Sequence, residues 1–292
     1  FMGTIPNVWA DQGRLNIVTT QTIFADLVKQ IGKDKVNVQA IASPGYNIHF
    51  IQPKPSDVRK VAKADLYVNA GLDLEAWSDP LVEAVGNPKL FRNGPQNVDL
   101  SYGVKLLEIP DHPLSRAEGD IHAFGNPHFQ MNPENAKVMA ATILKRLEDI
   151  DPANAAYYQE NATAFFAKLD EKITAWKNMC AHCRGKEIIS YHDDIAYFAD
   201  FLGLRAEQFL EPKPGIPPTP KHMQFLEKYA KAHNIIAVVR PTYYSQDAAK
   251  SLAGKIGGTV VTICQGVGEI PGTEDFFSFF DYNFKQISEG IR

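Results

Sequence analysis

The 292-residue chain carries 45% hydrophobic and 22% charged residues and a formal net charge of −4. This is the composition of an ordinary globular protein, long for one core and comfortable for two lobes. The slight acidity gives no electrostatic reason to expect a nucleic-acid partner, and no apolar run approaches the ~20 residues of a bilayer span.

Residues 1–14 stand apart from the periodic pattern that begins at Leu15. In "FMGTIPNVWADQG", Val8 and Ala10 occupy the places of a signal-peptidase site if cleavage falls before Asp11. The segment reads equally as the remnant of a secretory signal or as a tag, and without a cysteine near the start no lipid anchor is expected. "LNIVTT" is then a β-branched strand, and "TIFADLVKQIG" a helix stopped by Gly32. "KVNVQAIA" is a strand that leads into the loop "SPGYNIHFIQPKP". "PSDVRKVAKA" restarts a helix with Ser56 as N-cap, followed by the strand "DLYVNAG" and the helix "LEAWSDPLVEAVG". After "GVKLLEI" comes a polar loop holding His112 and His122, then a helix that ends at Asp151-Pro152.

From Ala153 to about Met179 no Gly or Pro interrupts a single pattern, with Tyr158, Phe165, Leu169, Ile173 and Trp176 on one stripe. At ~1.5 Å per residue it extends about 40 Å, the size of a whole domain, and reads as a rigid spine. The alternation then resumes with "KEIISYH", "DDIAYFADFLG", "RAEQFL", the stiff loop "EPKPGIPPTP", "KHMQFLEKYAKAHN", "IIAVVR", "SQDAAKSLAGKIG" and "GTVVTIC", closing on a helix from Thr273 to Ile291. The expected fold class is α/β: two lobes, each a parallel-type sheet flanked by helices, joined by one long spine helix, with the site in the interlobe cleft. The expected boundaries are 15–151 for the first lobe, 152–182 for the spine and 183–292 for the second lobe.

Three cysteines are too few for a disulfide scaffold. Cys264 reads as a buried thiol, whereas Cys180 and Cys183 form "CAHC", which is half a zinc knuckle, a redox pair or a local disulfide.

His49, His128 and His192 each fall in a loop or at the C-terminal end of a strand, beside the start of a helix, where open parallel sheets bind ligands. Prolines bracket the first two and stiffen their loops. Asp193 is placed to accept the hydrogen bond that fixes the His192 tautomer. Spacing alone leaves two readings open: a three-histidine metal site completed by cleft closure, or three hydrogen-bonded loop histidines.

"PGYNIHFIQPKPSDV", "GNPHFQMNPENA" and "SYHDDIAYFADFLGL" resemble, in order and with the spine between the second and third, the metal-binding segments of the zinc and manganese solute-binding proteins of bacterial ABC importers (cluster A-I, zinc type). The resemblance runs from about Leu15 to Ile291 and implies a bilobed fold with His49, His128 and His192 as metal ligands. It also implies a periplasmic or otherwise extracytoplasmic monomer that hands its metal to a membrane permease without inserting into the membrane. Many relatives add a carboxylate after the last strand of the second lobe; here Gln265, Gly266 and Val267 stand there, and Asn47-Ile48 replaces the frequent acidic residue and proline. The His-rich loop of zinc scavengers is short, leaving His112 and His122 as accessory donors.

Three neutral imidazoles suit Zn²⁺, while Mn²⁺ wants more oxygen. The expected function is therefore high-affinity zinc capture for import, with manganese or another divalent metal as the alternative and no enzymatic activity. Glu211 or Asp193 stands by as fourth ligand or as support for the histidines. A zinc hydrolase with three histidines and a bound water is the rival from another class, but the chain has no HExxH and would have to use Asp193 or Glu211 as base. With ordinary imidazole pKa values near ~6.5, binding below about pH 6 should compete with as many as three protons.

Overall fold

The computed structural model describes residues 13–112, 122–213 and 215–291. The segment read as a signal remnant or tag lies outside these, apart from residues 13 and 14, as does 113–121 of the polar loop. The first lobe holds β1 (Leu15–Thr19), β2 (Val36–Ala40), β3 (Leu66–Asn69) and β4 (Asn97–Asp99), with α1 (Thr22–Gly32), α2 (Pro55–Val61), α3 (Ser78–Val85) and α4 (Asn135–Ile150). The second holds β5 (Glu187–Ser190), β6 (Arg205–Phe209), β7 (Ala237–Pro241) and β8 (Thr259–Ile263), with α6 (Ala196–Leu202), α7 (Pro220–Ala232), α8 (Asp247–Ile256) and α9 (Phe276–Gly290). Both sheets are parallel and share one strand order, β2-β1-β3-β4 and β6-β5-β7-β8. Burial follows position: the inner strands β5 and β7 are buried along their whole length, while the edge strands β2 and β6 are partly exposed.

The spine is α5 (Ala155–Met179), whose 25 residues extend about 37 Å. Its expected stripe is its buried face: Tyr158, Ala162, Phe165, Leu169, Ile173 and Trp176. That face packs on α1 and α4 of the first lobe and on α9 of the second. One continuous hydrophobic core therefore runs from Ile17 in β1 through the spine to Phe284 and Ile287 in α9. Trp176 donates its indole N–H to Asp281 at 2.7 Å and stacks on Phe284, which in turn stacks on Phe198 of α6. Further along, the buried Asp26 of α1 accepts the N–H of Phe276 at 2.9 Å, which ties the first lobe to the start of α9.

One local expectation needs correction, and two local details add to the rest. Ser56 is not the cap of α2: Pro55 takes the first helical position, where its missing N–H does no harm, and the Asp57 carboxylate accepts the N–H of Lys54 at 2.8 Å. Gly32 ends α1 as expected, with a right-handed backbone, and the positive φ of 47° falls at Lys33; a Cβ on Gly32 would lie 2.4 Å from the Val36 side chain, so the glycine is there for close packing. The three-residue strand β4 is too short to show a period and stands before "GVKLLEI", outside any expected strand.

CAHC lies at the foot of the spine. Cys180 and Cys183 are buried free thiols, hydrogen-bonded to the carbonyls of Phe284 and Ile291. They belong to no cluster of metal-binding groups among the described residues.

Phe284 joins spine, α6 and α9, so Phe284→Ala should lower the unfolding free energy by about 3–5 kcal/mol in urea titrations. A loss below about 1 kcal/mol would show that α9 is not locked to the spine.

Candidate metal centre

The second lobe supplies one histidine where its chain reverses. His192 follows β5, the strand whose neighbours β6 and β7 are reached by connections running opposite ways, and this is where open α/β sheets form a crevice. Its rail is fixed on both sides, with Tyr191 N–H bound to the Val239 carbonyl at 2.8 Å and Glu211 N–H to the Tyr191 carbonyl at 3.0 Å. The equivalent point of the first lobe is closed: the fully buried Glu75 accepts from Thr20 Oγ1 and Gln21 Nε2, each at 2.7 Å. The first lobe therefore supplies its histidines from later loops.

His49 sits in a one-turn 3₁₀ segment, Ile48–Phe50, whose Ile48 carbonyl accepts the Trp77 indole N–H at 2.8 Å. His128 opens a second such turn, Phe129–Met131. The approach to it requires Gly125, whose φ is 112° and whose Cβ, if present, would lie 2.8 Å from the Leu107 carbonyl oxygen.

The three rings meet. His49 and His128 Nε2 lie 3.2 Å apart, ring centroids are 5.1 to 5.7 Å apart, and one nitrogen from each histidine falls within 4.8 Å of the other two. Two nitrogens bound at ~2.0 Å to one tetrahedral ion stand about 3.3 Å apart, so the observed pair already has that spacing. This is the one such group of histidine, cysteine and carboxylate side chains among the described residues.

Electrostatics divide the trio. Burial, with the neighbouring imidazoles, pushes His49 down to about 3 and His128 well below its ordinary value, so both rings stay neutral. Burial opposes charge on His192 too, but the Glu211 carboxylate and then Asp194 overcome it and raise its pKa. Glu211 Oε2 lies 3.0 Å from His192 Nδ1 and also accepts the Gly215 N–H at 3.2 Å. That bond puts the His192 proton on Nδ1 and leaves Nε2 for the shared centre.

The orienting part expected of Asp193 thus belongs to Glu211. Asp193 points its carboxyl toward Glu108, and burial together with that neighbour pushes it up to about 8. The adjacent carboxylate with the larger effect on His192 is Asp194, fully buried, with the Tyr243 hydroxyl donating to Oδ2 at 3.1 Å; Asp193 adds a smaller one. Consecutive residues in a loop face different ways, and composition gives no sign of which faces the ring.

Of the accessory histidines, His122 stacks on His49 at 5.2 Å and helps to lower its pKa, while His112 is exposed and paired with Asp111. Gln265 lines a cavity of about 30 Å³ together with His128, Gln130 and Tyr243. The carboxylate of that loop, Glu269, is engaged by Thr242 and by the Gln265 N–H. Two asparagines, Asn47 and Asn126, each stand two residues before a histidine and take a part in the site that was not expected of either. The spacing alone signals an Asx turn, and both side chains accept the histidine N–H at 3.0 Å.

Two parallel α/β lobes fixed on one helix, with imidazoles converging from both, define a two-lobed metal-binding protein of the kind that serves membrane importers. The chain belongs to the ZnuA family, the periplasmic component A of zinc-uptake complexes, whose profile matches residues 17–290. It is 28% identical over 245 residues to the high-affinity zinc uptake system protein ZnuA of Bacillus subtilis, spanning 84% of this chain and 76% of that protein. It is 30% identical to the manganese ABC transporter substrate-binding lipoprotein PsaA of Streptococcus pneumoniae, over 95% of this chain and 89% of that one. The iron-binding protein YfeA of Yersinia pestis is 27% identical over 95% of this chain and 86% of its own length. Among solved structures, the crystal structure of a ZnuA superposes with a TM-score of 0.80 at 23% identity, covering 96% of this chain and all of that one, which establishes the likeness of fold. The family consists of substrate-binding components of importers and not of enzymes.

The electrostatic division is open to NMR titration of the metal-free protein. His192 should take up its proton above 6.5, with His49 and His128 neutral throughout the mildly acidic range, and Glu211→Gln should move the His192 midpoint down. An ordinary midpoint for His49 would contradict the account of its burial.

Proposed function

We propose that the protein captures Zn²⁺ outside the cytoplasm through His49, His128 and His192 and delivers it, as a monomer, to the permease of an ABC importer. The observation that carries the choice of zinc is the donor set. Three imidazoles converge within 4.8 Å, one pair of them at tetrahedral spacing, while Glu211 is engaged by His192 and Gly215 and Asp194 receives Tyr243 on Oδ2. Borderline nitrogen donors favour zinc, whereas manganese and iron(II) favour sites richer in oxygen. Likeness alone does not separate the metals, because relatives named for zinc, iron and manganese match this chain to similar extents.

In this reading the fourth position faces water or a small anion, and Glu211 acts by fixing the tautomer of His192. His122, stacked on His49, borders the site on the first lobe's side. The neutral state of two rings also revises the expected proton competition. Only His192, whose pKa is raised, takes up a second proton in mild acid, and Nε2, where that proton would sit, is the metal-binding nitrogen. A raised pKa means that metal must displace one proton below that midpoint and none above it, so affinity rises with pH and then levels off.

Protein purified without chelators should contain about one zinc per chain by mass spectrometry, and each of His49→Ala, His128→Ala and His192→Ala should weaken zinc binding by about a hundredfold or more. The double change Cys180→Ser and Cys183→Ser should leave the stoichiometry unaltered. Preferential loading with manganese from an equimolar mixture would overturn the zinc assignment. Calorimetry in buffers of different ionisation enthalpy should find about one proton released per zinc in mild acid; release of about three would restore the expectation from unperturbed imidazoles.

A further inference from the structure

Asn47-Ile48-His49 and Asn126-Pro127-His128 share a construction that reaches beyond the turn. In each, Oδ1 accepts the histidine N–H at 3.0 Å while Nδ2 crosses to the other lobe. Asn47 Nδ2 donates to the Tyr244 hydroxyl at 3.3 Å, and Asn126 Nδ2 donates to the Asp193 carbonyl at 3.0 Å and to Glu108 at 2.7 Å. Tyr244 follows β7 and stacks on Tyr191, and Asp193 adjoins His192, so both crossing bonds end beside the histidine of the second lobe. Asn126 is buried and held on every side. Its N–H donates to the Leu107 carbonyl at 2.9 Å, and its carbonyl accepts from Tyr197 of α6, also at 2.9 Å.

We infer that Asn47 and Asn126 are positioning residues that couple the aim of His49 and His128 to closure of the cleft. This rests on the three histidines binding metal. A side-chain amide is one rigid plane with the acceptor on one corner and the donor on the other. The bond that aims the imidazole and the bond that spans the lobes therefore hold each other in place, and separating the lobes releases the turn. A bound ion is retained while both amides bridge the cleft.

The two bridges differ in chemistry. The Tyr244 hydroxyl can donate as well as accept, so a carboxylate at position 47 would still be bonded across the cleft. The Asp193 carbonyl can only accept, so a carboxylate at position 126 has no proton to offer it and also faces Glu108. Asn126→Ser keeps an acceptor for the turn but is too short to cross.

The test is zinc release to a fluorescent chelator by stopped flow, with Asn87→Asp as control, an Asx turn on the Lys89 N–H in the first lobe. Asn126→Asp and Asn126→Ser should release zinc about tenfold faster than the parent protein, and Asn126→Asp about tenfold faster than Asn47→Asp. Asn47→Ala and Tyr244→Phe should combine non-additively in a double-mutant cycle. A second readout needs no metal: spin labels at the exposed Lys63 and Lys250 should give a broader interlobe distance distribution in the metal-free Asn126→Ser protein than in the parent. Parental release rates and distances in folded Asn126 variants, equal rates for the two aspartate variants, or additivity in the cycle would each overturn the inference. A parent protein that takes up no zinc while its Asn126→Ser variant still broadens would overturn the metal assignment and leave the latch standing.

Discussion

Two imidazole nitrogens face each other at 3.2 Å in a setting that denies either ring a positive charge. One proton can bridge such a pair, or one cation can lie between its lone pairs, but two protons cannot be accommodated. Water would ordinarily relieve this by solvating an imidazolium, and burial removes that outlet. Much of the surrounding structure holds that encounter in place. The 3₁₀ turns set the backbone of both rings, Gly125 lets the chain approach the Leu107 carbonyl, and Glu211 presents the third ring with the correct nitrogen inward.

Such an arrangement needs a frame that does not yield, and the frame is asymmetric in a telling way. Both sheets have the same strand order, yet only the second uses its reversal point for the site. In the first lobe that point is occupied by Glu75 with Thr20 and Gln21, and burial pushes the Glu75 carboxyl up to about 7. Two histidines from flexible-looking loops are thus set against one from a strand end. The loops compensate for their irregularity with prolines, with the Trp77 bond to Ile48 and with the two asparagine turns. Rigidity that a strand has by its ladder is supplied here by side chains.

The architecture and the converging histidines were legible in the sequence because both depend on signals of period or position. β-branched runs alternate with amphipathic stretches, the spine stripe from Tyr158 to Trp176 is the buried face of α5, and the histidines fall in loops or at a strand end beside the start of a helical turn. What was illegible depends on direction. Asp193 and Asp194 are adjacent and chemically identical, and only the fold turns one toward Glu108 and the other toward the Tyr243 hydroxyl. Glu211 reads in the sequence as ligand or as support, and its contact of 3.0 Å with Nδ1 of the ring comes from the fold alone. The protonation of the trio was illegible for the same reason, since pKa values reflect burial and neighbours that composition does not contain. The strand β4 escaped notice because three residues hold no period.

The unbroken core through the spine bears on how such a chain can be divided and recombined. Phe284 of the second lobe packs on Trp176 of the spine, and the spine packs on α1 and α4 of the first. Each lobe keeps a smaller hydrophobic cluster of its own, but the largest core is a wall shared through the spine. The lobes are thus halves of one cooperative unit in the thermodynamic sense, however separate they look in outline. Exchange of a whole lobe between relatives would cut through that wall, and a working chimera would have to bring the spine and the aromatic face of α9 across together.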